Sequence, residues 1–274
     1  ELSVVIPVYN EDENIIATIE SLNQVIPVNH EIICVYDFEE DTTVPILADL
    51  MPQFSQLKMI KNEVVSGPSG AIRAGIQQST APHILVVMAD ACDDFSQIPH
   101  LLSLGKEKDG VVCPSRYCKG GRQFLDPSLK VWLPQTAGFL LKLLTGIPTY
   151  DPTNSFKLYS AKIFDEIELQ STVSFSVTLE IVTKAFLLGY QIIEVPTTWK
   201  DRTKGVSNFK LLHSIPAYLK WFLLCIFKRF FKSVVGTIVI KNFYMSIFCT
   251  SHKVRCSSTF SPIWSINVIK INSL

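Results

Sequence analysis

Three groups of carboxylates follow short apolar runs in the first hundred residues. Pro7-Val8-Tyr9-Asn10-Glu11 closes the run that begins at Leu2. Asp37, with Glu39, Glu40 and Asp41, follows residues 32–36, and Asp90, Asp93 and Asp94 follow residues 84–88. A carboxylate beyond a strand can accept hydrogen bonds from a ribose or a base, and a second group can hold a divalent cation against a diphosphate through oxygen ligands. Taken singly, each is as readily a helix cap. Together they favour a nucleotide-diphosphate site, and no GxGxxG or Walker sequence points to NAD or ATP instead. The five histidines have no ligand spacing. The seven cysteines include one near pair, Cys113 and Cys118, with no second pair to complete a metal site, so they read as reduced thiols.

The apolar runs at residues 2–8, 32–36, 57–60, 84–88 and 110–113 alternate with helical patterns that run to Asn23 and over 69–79 and 98–106. This alternation predicts an α/β fold, a parallel sheet covered on both faces, with ligands beyond the carboxyl ends of its strands. Glu11, Asp12 and Glu13 are expected in the first turn of the first helix, where the helix dipole favours acids. In the second half, helices are expected over 128–145, 175–188 and 209–232, with strands over 155–159 and 191–195. Gly189 closes one helix, and residues 197–208 read as a polar, basic loop.

The chain has 274 residues, 47% of them hydrophobic and 18% charged, with mean hydropathy +0.26, which excludes global disorder. No run of 18 uncharged apolar residues suggests a polytopic membrane protein. The 25 basic and 25 acidic residues cancel, but unevenly. Residues 1–100 carry 15 acids and 3 bases, whereas residues 101–274 carry 10 acids and 22 bases, and no acid follows Arg202. The bulky apolar and cationic residues of 209–232 have the composition of an interfacial helix, with a helix packed on the protein's own core as the rival. Residues 233–251 hold one charge, Lys241, and read as a marginal transmembrane span; the tail to 274 is either that or disordered. No leader peptide is visible, and Glu1 directly before a strand suggests a processed or trimmed chain.

LSVVIPVYNEDENI, EIICVYDFEEDTT, SGPSGAIRAGI, VVMADACDD, CPSRYCKGG, DPTNSFKLYS and EVPTTWKDRTKGVSNFK follow one another in order. The series resembles the family-2 inverting glycosyltransferases, in the branch of dolichyl-phosphate mannosyltransferases and polyisoprenyl-phosphate glycosyltransferases. The resemblance implies a Rossmann-like A-type glycosyltransferase fold, with a catalytic domain over 1–208 and a membrane-surface helix over 209–232. It implies a GDP- or UDP-sugar donor held by Pro7, Tyr9, Asn10, Glu11, Gly70 and Arg73, with Asp37 on the base or ribose. The family's Asp-x-Asp falls on Met88-Ala89-Asp90, so the first aspartate is missing. Asp90 would keep a divalent metal, Mg or Mn, with Asp93 as a second ligand or water anchor. The lost carboxylate weakens such a site and leaves open a non-catalytic nucleotide-sugar-binding protein.

A polyprenyl phosphate acceptor is already anionic, so it needs cationic positioning rather than a strong base. By the resemblance, Arg116, Lys130, Arg202 and Ser207 would grip that phosphate, Arg116 and Arg202 foremost because a guanidinium binds phosphate through two donors. Asp151 is expected to orient a sugar hydroxyl; the alternatives are a base for a glycan hydroxyl acceptor and a turn cap. Gly120-Gly121 would turn at the acceptor entrance, Glu194 and Pro196 would fix the strand exit, and Trp199 would pack under the basic loop. These readings put the protein on the cytosolic face of a membrane, peripheral or singly anchored, without a nucleic-acid partner.

Overall fold

The computed structural model describes residues 1–124, 129–201 and 211–234. Its strands are β1 (Leu2–Pro7), β2 (His30–Tyr36), β3 (Leu57–Lys61), β4 (His83–Val86), β5 (Gly110–Ser115), β6 (Arg122–Phe124), β7 (Lys157–Ser160), β8 (Gln191–Pro196) and β9 (Thr198–Lys200). The helices are α1 (Ile15–Val25), α2 (Thr43–Leu50), α3 (Pro68–Gln78), α4 (Ile98–Glu107), α5 (Leu129–Thr145), α6 (Lys162–Glu166), α7 (Ser176–Leu188) and α8 (Leu211–Val234). Seven strands form one sheet in the order β3-β2-β1-β4-β7-β5-β8. Only β7 runs antiparallel, pairing Val86 with Lys157 on one side and Val112 with Leu158 on the other.

Every residue of β1 is buried, as an unbroken apolar run requires when helices cover both faces. Alternation divides its side chains between two cores. Leu2, Val4 and Ile6 join Ile15 and Ile19 of α1 and Leu101 of α4. Val5 joins Ile72 of α3, Val177 and Ile181 of α7, Leu141 of α5, and Trp221 and Cys225 of α8. Residues Glu1–Phe231 form one compact unit.

Three expectations need correction. The first helix starts at Ile15, so Glu11, Asp12 and Glu13 precede it; Asn14 and Ile15 donate back to the Glu11 carbonyl and close a turn there. The segment after Pro196 is not simply loop. β9 pairs in parallel with β6, Trp199 opposite Gln123, and Lys200 N–H also donates to the Cys92 carbonyl at 3.0 Å. Finally, α2 joins β2 to β3 where no helix was read. Gly189 does close α7, in the left-handed conformation (φ 95°) that glycine adopts without steric cost. The expected span at 233–251 and the tail lie outside the described residues beyond Val234.

Candidate active site

At the end of β1 the chain turns through Asn10, a non-glycine residue at φ 51°. Asp41 holds this turn by accepting from Asn10 N–H at 3.0 Å and Thr43 N–H at 2.8 Å. The Asn10 side chain accepts in return from Thr42 N–H at 3.1 Å, and Thr43 Oγ1 accepts from Glu11 N–H at 2.9 Å. Asp41, buried, is therefore a brace between the first two strand ends. Asp37 stands apart, half-buried, accepting from Asn62 Nδ2 at 2.7 Å and Gly67 N–H at 2.6 Å. A carboxylate offers about four lone-pair positions, so Asp37 keeps acceptor capacity for a ligand. Tyr9, half exposed, meets Phe38 edge to face at 5.6 Å and makes an aromatic wall beside it.

Gly70 acts by absence. A Cβ there would lie 1.7 Å from the Val65 carbonyl oxygen and 2.8 Å from Asn62 Nδ2, displacing the loop that carries Asp37's partners. Arg73 does not join the other donor residues. It donates to the Ser171 carbonyl at 3.1 Å and lines a cavity of about 370 Å³ with Phe164, Ile167 and Glu168.

Beyond β4, Thr18 Oγ1 holds the Ala89 carbonyl at 3.0 Å, and Ala91 takes a left-handed φ of 53°. A β-carbon in that region is strained, and this turn lies between Asp90 and Asp93, close enough for the charge of one to act on the other. Asp90 accepts from Cys92 N–H at 3.2 Å. Asp93 is held by a bridge to Trp199, and its Oδ1 is buried with no hydrogen-bond partner. Burial, and then the charge of Asp90, push the Asp93 carboxyl up to about 7. Asp94 is only a cap, accepting from Ser96 N–H at 3.2 Å.

Two neighbouring carboxylates, one with an unpartnered buried oxygen, fit a hard divalent cation that completes its shell with water and diphosphate oxygens. No group of three or more ligating side chains gathers among the described residues. The fit is to a cation shared with a ligand, not to a closed protein cage.

On the other side of β4, Arg116 follows β5 and grips Asp151 through two parallel bonds: Nε to Oδ2 at 2.7 Å and Nη2 to Oδ1 at 2.9 Å. The Arg116 N–H adds a third at 3.1 Å. Asp151 is fully buried; burial works to raise its pKa, but Arg116 prevails and holds it below the usual carboxylate range. Both of its oxygens accept from Arg116. Lys157 was missed from sequence. Fully buried in β7, it donates to the carbonyls of Asp151 (3.2 Å) and Asn154, and burial lowers its pKa. A lysine inside an apolar strand was the available signal.

Gly121 brings the following turn against the Arg116 backbone, since a Cβ would stand 2.5 Å from the Ser115 carbonyl oxygen. Glu194 accepts from Thr149 Oγ1 at 3.0 Å and Tyr150 N–H at 2.5 Å, so it fixes the turn into Asp151. Lys130 falls in the first turn of α5, but its side chain, like Arg202 and Ser207, lies outside the described residues.

Residues 3–168 match the model of glycosyl transferase family 2. The chain belongs to this family. It is 26% identical over 232 residues to a dolichol-phosphate mannosyltransferase of Pyrococcus furiosus, covering 81% of this chain but only 64% of that protein. A polyprenol monophosphomannose synthase of Mycolicibacterium smegmatis is 26% identical over 211 residues, covering 75% of this chain and 79% of that one.

Among solved structures, glucosyl-3-phosphoglycerate synthase of Mycobacterium tuberculosis in complex with UDP superposes with a TM-score of 0.61 at 15% identity, covering 82% of this chain and 79% of that one. The same enzyme with Mn2+, UDP-glucose and phosphoglyceric acid gives 0.59 at 17% identity, over 82% and 79%. The fold is the Rossmann-like A-type glycosyltransferase fold, with its mostly parallel sheet.

Proposed function

We propose that this family-2 chain transfers a hexose, of mannose or glucose type, from a nucleoside diphosphate sugar to a polyprenyl phosphate, with inversion, at a membrane surface. The observation that carries the reading is the pairing of two unlike sites across β4 and β7. Asp90 and Asp93 fit a cation on the donor side, and the Arg116 guanidinium stands on the acceptor side. Asp37 and Tyr9 would take the nucleotide, GDP or UDP. A divalent metal held by Asp90 and Asp93, Mg or Mn as in the related crystal structures, would neutralise charge growing on the departing diphosphate.

Arg116, fixed by Asp151 in one orientation, would hold the acceptor phosphate for in-line attack on C1, with Lys130, Arg202 and Ser207 completing that site. A phosphate attacks as an anion, so no protein base is required. A glycan hydroxyl would require one, and Asp151, held ionised and bound by Arg116, is a poor base. The two curated relatives' names support the acceptor class.

The surface supports the membrane. α8 buries Ser214, Trp221 and Cys225, yet exposes Ile215, Leu219, Leu223 and Phe227 at four-residue steps. One side of this helix packs on the core, and the other would suit the interface. α5 adds exposed Trp132, Phe139, Leu140 and Leu143. No described helix is long and apolar enough to cross a membrane; an apolar face rimmed by Lys220 and Arg229 suits attachment in the interface. The cytosolic face follows as the side where nucleotide sugars are available.

The test is incubation of the full chain with radiolabelled GDP-mannose or UDP-glucose, MnCl2 or MgCl2, and dolichyl phosphate. An organic-extractable labelled product is expected. A folded protein that binds donor but labels only water-soluble glycans would replace this reading, and turnover with neither acceptor would leave a nucleotide-sugar-binding protein.

A further inference from the structure

Three helices far apart in the chain converge on one short turn, residues 171–174, ahead of α7. From α3, Arg73 donates to the Ser171 carbonyl at 3.1 Å and Ser69 Oγ to the Ser174 carbonyl at 2.6 Å. From α7, the buried Glu180 carboxylate accepts from Gln170 N–H at 2.8 Å and Ser171 N–H at 2.7 Å. From α8, Trp221 Nε1 donates to Ser171 Oγ at 2.8 Å. Ser174 itself is held at φ 51°, a conformation that a non-glycine residue keeps only where its surroundings over-determine it.

The α8 attachment is specific rather than merely apolar. Trp221 is 1% exposed, its ring flanked by Lys184 Nζ at 4.9 Å and Lys220 Nζ at 4.6 Å. Lys184 is in turn paired with Glu180 at 2.5 Å. A slip of α8 by one residue turns its face by about 100° and moves it about 1.5 Å, which would take the indole N–H away from Ser171. At the same N-terminal end of α3 as Ser69, the N-cap Gly67 donates its N–H to Asp37 at 2.6 Å. A continuous set of hydrogen bonds and one rigid helix therefore join the lipid-side helix to the nucleotide-side carboxylate.

We propose that the 171–174 turn is a positioning hub: through Ser171, Trp221 of α8 fixes where α3 presents Gly67 to Asp37, so that the seating of α8 sets donor affinity. The identification of Asp37 with the nucleotide rests on the function proposed above; the mechanical link does not. Trp221 and Ser171 touch no substrate and act only through the turn.

The test uses the full chain with three variants. Trp221→Phe and Ser171→Ala each delete one partner of the same hydrogen bond, and Cys225→Ala removes a buried side chain one turn further along α8. The probes are GDP and UDP with MnCl2, measured by calorimetry, beside thermal unfolding and hydrogen exchange at the amides of Gly67 and Ala71. Trp221→Phe and Ser171→Ala are each expected to weaken nucleotide binding about 5-fold, the worth of one hydrogen bond. The double variant should be no weaker than either single. Cys225→Ala should lower the melting temperature and leave nucleotide affinity unchanged, because a purely structural loss moves stability alone.

Unchanged affinity in Trp221→Phe, or a loss matched by Cys225→Ala, would overturn the hub. Should the parent chain bind neither nucleotide, the proposed function fails, and amide exchange still decides the hub. Faster exchange at Gly67 in Trp221→Phe and Ser171→Ala, but not in Cys225→Ala, upholds it; equal exchange in all of them rejects it.

Discussion

Around β1, β2 and β4 the carboxylates Glu11, Asp37 and Asp90 are only partly buried and take hydrogen bonds mainly from backbone amides and asparagine side chains. Around β5, β7 and α7 the charges are buried in closed sets: Arg116 on Asp151, Glu180 on Lys184, and Lys157 on two carbonyls. On the donor side Asp93 keeps an orphaned buried oxygen, which on the function proposed above would suit it to receive a cation with its diphosphate. Asp151 fixes Arg116 in one orientation, so on the same proposal its guanidinium would meet an acceptor at little cost of reorganisation. If the proposed function holds, such a site would take its donor by supplying an unpartnered oxygen to a cation and its acceptor by fitting a preset geometry.

The sharpest way to break that contrast is at Arg116. Arg116→Ala leaves Asp151 buried without its partner, and removing one member of a buried pair costs about 3 kcal/mol or more. We expect a comparable fall in urea stability and a loss of transfer on the order of 10²-fold, the scale of losing one preorganised charge. Arg116→Lys should restore part of the stability and little of the rate, since an ammonium cannot reproduce the two-bond fork. Full activity in Arg116→Lys would show that geometry on this side is not preset.

The outer apolar faces come next. Leu143→Ser with Phe227→Ser removes two of the most exposed apolar side chains of α5 and α8, at 67% and 57% exposure. Sedimentation with anionic vesicles should show binding at least about 10-fold weaker, given roughly 1.5–3 kcal/mol for each side chain fully buried, with little change in melting temperature. Wild-type partitioning would assign these faces to something other than lipid.

On the donor side, Asp93→Asn removes one of the two carboxylates fitted to the cation. Metal-dependent nucleotide binding, followed by titrating MnCl2, should shift about 10-fold to higher concentration, while the metal-free protein gains stability because a charge is no longer buried there and its repulsion with Asp90 is gone. Met88→Asp is the reciprocal variant and should tighten the same titration.

Much of this organisation could be read before any coordinates. Strand ends were legible because buried parallel strands are unbroken apolar runs, so the polar residue that ends each run marks the site. The pairing of Arg116 with Asp151 was not, because it closes across 35 residues and local pattern carries no sign of it. Asp41 and Asp37 looked equivalent in sequence, and only the turn at Asn10 makes one a brace and leaves the other half open. The strands β6 and β9, three residues each, are too short for a periodicity. In α8 two apolar faces overlap in one helix, so the pattern supported core packing and membrane contact equally. Arg73 shared its motif with Gly70, but three residues along a helix set it facing Ser171.

The smallest effect is expected at the opposite end of the sheet, where an acid and a base also meet but the base reaches into solvent. Glu31 accepts from Lys58 at 2.7 Å, from Ser3 Oγ at 2.5 Å and from Thr80. Burial works to raise its pKa, and the hydrogen bonds from Lys58, Ser3 and Thr80 outweigh it, lowering the group to about 2. A carboxylate depressed in the folded state stabilises it above the ordinary value of 4.5, and that contribution is lost as pH falls from there towards 2. Lys58 is 55% exposed, so solvent screening holds the effect to about 1 kcal/mol. Glu31→Gln should therefore cost about that much at pH 7 and nothing near pH 2, read from urea unfolding across the range. A loss as large as that of Arg116→Ala would mean that burial does not separate the two kinds of pair, and the contrast between the halves of the site would fall with it.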